Sequence, residues 1–241
     1  MVRGNKMKLT AKKIASMIDQ TLLSPTASEE KVRAFIGEAS SYGFASVCIN
    51  PVYVPLAAKM LAGTKTKVCT VIDFPLGAGG TKCKIAESRE AIKAGAQEVD
   101  FVVDIALVRS HDWSRLQKEL TRVIDAMKPH EVTSKLILET CYLTDEEITQ
   151  SSVCAKNAGF DFVKTSTGFA TPKDDSGKAL PNGATVHAVE LMRRAVGKKM
   201  GVKASGGIHS AKDAIALIEA GATRIGASAG VEIVNGAAEL N

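Results

Sequence analysis

The sequence predicts a single (β/α)8 TIM barrel, and three observations carry that prediction. Short runs rich in β-branched residues alternate with longer helix-like segments along the whole chain. Eight such runs occur, and their starts lie on average roughly thirty residues apart, the size of a βαβ unit. Several runs are almost continuously apolar, as in Phe101-Val102-Val103 and Leu136-Ile137-Leu138, the pattern of parallel strands covered on both faces. The length of 241 residues is close to the ~250 of one such barrel. A doubly wound open sheet is the alternative, but no G-x-G-x-x-G follows an early strand.

Taken in order, the first strand is expected at 17–22. The capping box Thr26-x-x-Glu29 then opens a helix that Gly43 closes. Strands at 45–50, 67–73 and 98–104 follow, with Gly95 closing the helix before the last of these. The fifth strand is expected at 135–140, and Thr144-x-x-Glu147 opens a helix that ends at Gly159. A sixth strand at 161–165 leads into 170–183, where two prolines, two glycines and several charges read as a long loop. In a barrel that loop lies on the C-terminal face, where active sites are built. Strands at 201–204 and 224–227 enclose a helix that starts at Ser210-x-x-Asp213 and stops at Gly221. The expected organisation is therefore one domain over 1–241, with a short extension at 1–14 and an active-face loop at 170–183.

Composition narrows the function classes. The chain is 45% hydrophobic and 24% charged with a net charge of +5, ordinary for a soluble globular protein. No basic run interleaved with aromatics points to nucleic acid. The opening 13 residues are polar and basic, and no apolar stretch reaches the ~18 residues of a membrane span. A reducing cytoplasm is the expected setting. The five cysteines include no C-x-x-C pair and no Cys/His cluster at metal-ligand spacing. Four of them lie in or beside apolar runs and read as small core residues.

Two lysines stand near the ends of apolar strands, in Phe162-Val163-Lys164-Thr165 and Gly201-Val202-Lys203-Ala204. Desolvating an ammonium is costly, and each alone could be a snorkelling or structurally paired lysine. A pair on neighbouring strands calls for more. A second ammonium about 5 Å away raises the cost of the first charge by roughly 3 kcal/mol, which favours the free amine that adds to a carbonyl. Glu98, Asp100, Val102 and Asp104 share one face of their strand, and an inward Asp100 could relay protons beside the lysines. Glycines follow the last two strands, in Ser205-Gly206-Gly207 and Gly226-Ala227-Ser228, where barrels often bind phosphate.

With these residues in place the sequence resembles the deoxyribose-phosphate aldolase family. The resemblance runs in order through Ile18-Asp19-Gln20-Thr21, Val47-Cys48-Ile49-Asn50-Pro51, Asp73-Phe74-Pro75-Leu76-Gly77 and Glu98-Val99-Asp100, and on through Glu139-Thr140-Cys141. Its most specific pieces are Lys164-Thr165-Ser166-Thr167-Gly168 and Lys203-Ala204-Ser205-Gly206-Gly207. The resemblance implies reversible cleavage of 2-deoxy-D-ribose 5-phosphate to D-glyceraldehyde 3-phosphate and acetaldehyde, without metal or organic cofactor, in a homodimer or homotetramer. It makes Lys164 the Schiff-base lysine and Asp100 with Lys203 the proton relay. Asp19 and Thr167 would line the sugar end. Gly168, Ser205, Gly206, Gly207, Gly226 and Ser228 would take up the rest of the substrate, the glycines and Ser228 around its phosphate. Cys48 falls beside the pocket, with simple core packing equally open. A transaldolase-like lyase and a non-catalytic phosphometabolite-binding barrel remain alternatives.

Three departures from the family pattern stand out. Gln20 replaces a common histidine and is expected to perturb the floor near Asp19. The 170–183 loop is longer than the usual glycine-rich link. The tail 237–241 has no tyrosine, which some members use in the proton relay, so that help would come from water or be absent.

Overall fold

The β-branched runs bury one face against helices and turn the other toward their own neighbours, which closes the sheet. A computed structural model describes residues 9–239. Of the expected extension 1–14, residues 1–8 lie outside the described residues, as do residues 240–241 of the tail. The strands are β1 (Ile18–Leu22), β2 (Ser46–Ile49), β3 (Lys67–Ile72), β4 (Glu98–Val102), β5 (Thr133–Ile137), β6 (Phe162–Lys164), β7 (Gly201–Ser205) and β8 (Arg224–Ala227). They pair in sequence order, all parallel, and β8 returns to β1 to close the barrel. The helices are α1 (Ala11–Ala15), α2 (Glu29–Ser41), α3 (Val54–Met60), α4 (Gly80–Lys93), α5 (Ile105–Arg109), α6 (Trp113–Met127), α7 (Asp145–Ala158), α8 (Val186–Val196), α9 (Ala211–Glu219) and α10 (Gly230–Glu239).

Strand alternation divides the residues into two sets. Val47, Val99, Phe101, Leu136, Val163, Val202 and Ile225 belong to the buried apolar core shared with the helices. The alternate residues meet inside the barrel, and many are ionisable: Asp19, Glu98, Asp100, Lys135, Lys164 and Lys203 are all buried. What reads along the sequence as a nearly continuous apolar run is thus, on β4, an apolar outer face with an acidic inner one.

Local chemistry sets the element ends. Thr144 and Ser210 each form a complete capping box, with Glu147 and Asp213 reaching back. Thr26 does not cap α2. Ser28 does, accepting from the Lys31 amide at 3.2 Å, while Thr26 pairs with the Ser24 hydroxyl. Gly43, Gly95, Gly159 and Gly221 take the positive φ expected after a helix. Strands β3 and β5 stop earlier than the apolar pattern suggests, because Asp73 and Glu139 turn into the left-handed region, at φ 53° and 56°. Strand β4 ends at Val102, so Asp104 does not join the inner acidic face but caps α5 through the Leu107 amide.

Candidate active site

Three lysines converge on one carboxylate. Asp100 Oδ2 accepts from Lys164 Nζ at 2.8 Å and Lys203 Nζ at 2.7 Å, and Oδ1 accepts from Lys135 Nζ at 2.8 Å. Lys164 and Lys203 are register partners on β6 and β7. Beneath them Asp19 receives Lys203 at 2.6 Å and Arg224 Nη1 at 2.6 Å, and Glu98 receives Lys135 at 2.7 Å and Arg224 at 3.1 Å. The Ser46 hydroxyl donates to Asp19 at 2.7 Å.

Burial alone would push these carboxyls up. The Lys135, Lys164 and Lys203 charges outweigh it and hold Asp100 well below the ordinary carboxylate range. Asp19 is likewise held low, against burial, by Lys203, Arg224 and Lys135. Burial opposes the charge on Lys203, but Asp100 and Asp19 overcome it and raise that lysine above its ordinary value. The charge of Lys203 is therefore matched by two carboxylates. The simple picture of one ammonium repelling another omits that compensation.

Above this cluster a pocket of about 430 Å³ opens on the C-terminal face. It brings together Lys164, Thr167, Gly168, Ser205, Gly206, Gly207, Gly226 and Ser228, as the sequence suggests. It does not include Asp19, Cys48, Asp100 or Lys203, each fully buried below its floor. Asp19, expected at the sugar end, instead lies under Lys203 in the polar network. Cys48 packs with Cys69, its register partner, and with Leu23, Val71 and Phe74. Of the remaining cysteines Cys154 is buried, Cys141 is half-buried and Cys83 is exposed, so three and not four are core residues. Gln20 points away from the floor, donating to Glu38 at 3.1 Å and accepting from the Gly230 amide at 3.0 Å. Its departure from the family pattern therefore bears on helix packing.

Two residues of the site escape the sequence reading. Lys135 marks the expected start of a strand, yet it is fully buried and holds Asp100 from the side opposite Lys164. Glu139, nearly fully buried, accepts from the Thr167 amide at 3.2 Å and from the Thr167 hydroxyl. Its strand-end position, one alternation beyond Ile137 on the inner face, was the available signal. Cys48, Cys69 and Asp100 form the group spaced like metal ligands among the described residues. A cation there would face the ammonium groups of Lys135 and Lys203, so this donor set suits the lysines better than a metal.

Fold and site together define a (β/α)8-barrel enzyme with a lysine amine set between a polar interior and an open pocket. Residues 13–236 match the DeoC/LacD family of aldolases, and the chain belongs to that family. It is 53% identical over 222 residues to a deoxyribose-phosphate aldolase of Caldanaerobacter subterraneus subsp. tengcongensis, covering 92% of each chain. It is 51% identical over 221 residues to one from Enterococcus faecalis, covering 92% of this chain and 96% of the other. A tetrameric deoxyribose phosphate aldolase structure from Aeropyrum pernix superposes with a TM-score of 0.85 at 34% identity, over 96% of this chain and 94% of that one. Among the described residues no helix is long and apolar enough to cross a membrane.

Proposed function

We propose that the chain cleaves 2-deoxy-D-ribose 5-phosphate reversibly to D-glyceraldehyde 3-phosphate and acetaldehyde, through a Schiff base on Lys164. The observation that carries this reading is the double position of Lys164. Its side chain lines the pocket while its Nζ sits 2.8 Å from Asp100. An amine so placed can attack a carbonyl above it while protons move through the groups below. Asp100 and Lys203 form the proton relay, which orients the amine and passes protons between a water, the imine carbon and the leaving hydroxyl. Lys135 fixes the other oxygen of Asp100. The glycine loops after β7 and β8, with Ser228, hold the phosphate, and Thr167 faces the sugar. The chain works as one barrel domain with loop 170–183 on its active face. It acts in the cytoplasm as a homodimer or homotetramer, and the tetrameric relative supports the oligomeric part of that reading.

The test is mass spectrometry after borohydride reduction in the presence of deoxyribose 5-phosphate. The expected label maps to Lys164 alone, and Lys164→Arg abolishes both label and turnover, because a guanidinium stays protonated. A label on Lys203, or appreciable turnover of Lys164→Arg, overturns the assignment. A non-catalytic phosphometabolite-binding barrel would give no label. A transaldolase-like lyase would give one with different products.

A further inference from the structure

We propose that the Gly183–Ala184 backbone fixes the orientation of the Gly206–Gly207 peptide and so aims the Gly207 amide into the pocket, which makes Gly183 a positioning residue for phosphate recognition. The inference rests on the reading of the glycine loops as the phosphate end and adds what sets their geometry.

The residue before this peptide is pinned from β6. The Ser205 amide donates to the Thr165 hydroxyl at 3.0 Å, and that hydroxyl donates to Ser205 O at 3.0 Å. The Ser205 hydroxyl donates to Ser166 O at 2.7 Å. The Gly206–Gly207 peptide that follows is flanked by two glycines at φ 89° and 73°. Without a Cβ on either side, such a peptide can turn over at little steric cost. One orientation shows the pocket an amide, which attracts a phosphate oxygen. The other shows it a carbonyl, which repels one.

The 183–184 segment selects the first. The Ala184 amide donates to Gly206 O at 3.0 Å. A trans peptide places its C=O and N–H on opposite sides, so the Gly207 N–H faces away from Ala184. Gly206 and Gly207 line the pocket, whereas Gly183 and Ala184 do not. The side away from Ala184 is therefore the pocket side. Among the described residues no protein group accepts from the Gly207 amide, which leaves it to an anionic oxygen, a strong partner for an amide donor.

The contact demands glycine on both strands of backbone. At Gly183, φ 98°, a Cβ would lie 2.5 Å from Gly206 O, and a Cβ on Gly206 would lie 2.9 Å from the Gly183 Cα. Both positions also sit in the left-handed region that side chains disfavour. A methyl group at 183 would push the Gly206 carbonyl off its donor and free the peptide to turn. The phosphate end would feel this, and the amine of Lys164 would not.

Two variants break the contact by different routes. Gly183→Ala sets a Cβ against the Gly206 carbonyl, and Ala184→Pro removes the amide donor. Ala184→Ser keeps that donor and serves as the conservative control. The measurements are steady-state kinetics on deoxyribose 5-phosphate and on unphosphorylated deoxyribose, inhibition of deoxyribose cleavage by inorganic phosphate, and borohydride trapping of acetaldehyde on Lys164. In both breaking variants KM for the phosphorylated sugar and the inhibition constant of phosphate should rise about 10-fold or more, the loss of one hydrogen bond to a charged group. Cleavage of deoxyribose and trapping should stay near parental, and Ala184→Ser should match the parent throughout. A parental inhibition constant for phosphate in either folded breaking variant overturns the proposal. Equal losses on the two sugars also overturn it, because they would make the contact a support for the fold alone. A parent protein that favours neither sugar and is not inhibited by phosphate would instead remove the phosphate reading itself.

Discussion

At the scale of single residues, the site is a problem in satisfying buried charge. Asp100 faces three ammonium groups, and removing its charge leaves them facing one another. Asp100→Asn should therefore impair stability as well as proton transfer. A loss of about 3–5 kcal/mol is expected, as for breaking other buried charge networks, measured by urea unfolding at neutral pH. Lys203→Leu leaves Asp19 and Asp100 each short of one donor and should reduce turnover steeply. If Lys203 and Asp100 act as a unit, the double variant is about as impaired as the worse single. Multiplicative losses in kcat/KM would show that they act independently. Lys164, Lys203 and Asp100 were legible in the sequence because an ionisable residue inside an apolar strand stands out. Lys135 was not, because a lysine at an expected strand start reads as solvated. Strand β5 in fact begins at Thr133, so Lys135 lies inside it. Glu139 shares the alternation of Lys135 and Ile137 at the end of the expected strand, but the spacing does not show the left-handed turn that aims it at Thr167.

At the scale of elements, the caps that could be read from sequence are also the ones that carry charge. Glu147 completes the α7 capping box by accepting from the Thr144 amide at 2.8 Å, and it binds Arg109 at 2.8 Å and His111 at 3.1 Å. Burial would raise its carboxyl, but the Thr144 amide, Arg109 and His111 outweigh that and hold it at about 2, against an ordinary 4.5. A depressed folded value means that the ionised carboxylate stabilises the fold above pH ~4.5 and that this contribution is lost as pH falls toward 2. Glu147→Gln should thus be less stable than the parent at pH 7 by about 1 kcal/mol, with the difference vanishing in acid melts near pH 2. A difference that stays constant with pH would assign the effect to packing. The 170–183 segment shows the reverse case, where turn-forming composition concealed local order. Lys173 and Ala179 form a bridge, the Leu180 amide donates to Pro172 O at 2.9 Å, and the Thr171 amide donates to the Tyr142 hydroxyl at 3.3 Å. Its base rests on the pocket, since the Ala184 amide donates to Gly206 O at 3.0 Å. At Gly183, φ 98°, a Cβ would lie 2.5 Å from that same oxygen. Replacing 170–182 by a short glycine linker, with Gly183 and Ala184 kept, should change KM more than kcat. Loss of the Lys164 label in such a folded variant would show that the loop takes part in the chemistry.

At the scale of the whole molecule, the barrel interior is a column of charge with a direction. Arg224 and Glu98 bind at its base, Asp19, Lys135 and Asp100 occupy the middle, and Lys203 and Lys164 lead up to the pocket. Eight parallel strands bring their C-terminal ends to one face, so Lys164 and the glycine loops open into one space although they lie far apart in sequence. Strand order alone let the sequence place Gly206, Gly207, Gly226 and Ser228 there, because β7 and β8 must neighbour β6 and β1 in a closed barrel. On the proposed function the same geometry would separate the two ends of a phosphosugar, with the carbonyl at Lys164 and the phosphate beside Ser228, which precedes α10. A carboxylate introduced at Ser228 would then meet a dianion at short range, and like-charge juxtaposition costs several kcal/mol. Ser228→Glu should raise KM for deoxyribose 5-phosphate by about 10²-fold or more, since every 1.4 kcal/mol is tenfold. Cleavage of unphosphorylated deoxyribose and borohydride trapping of acetaldehyde on Lys164 should stay near parental. Steady-state kinetics on both sugars decides the matter, because an equal loss on the two substrates in a folded variant would place the phosphate elsewhere.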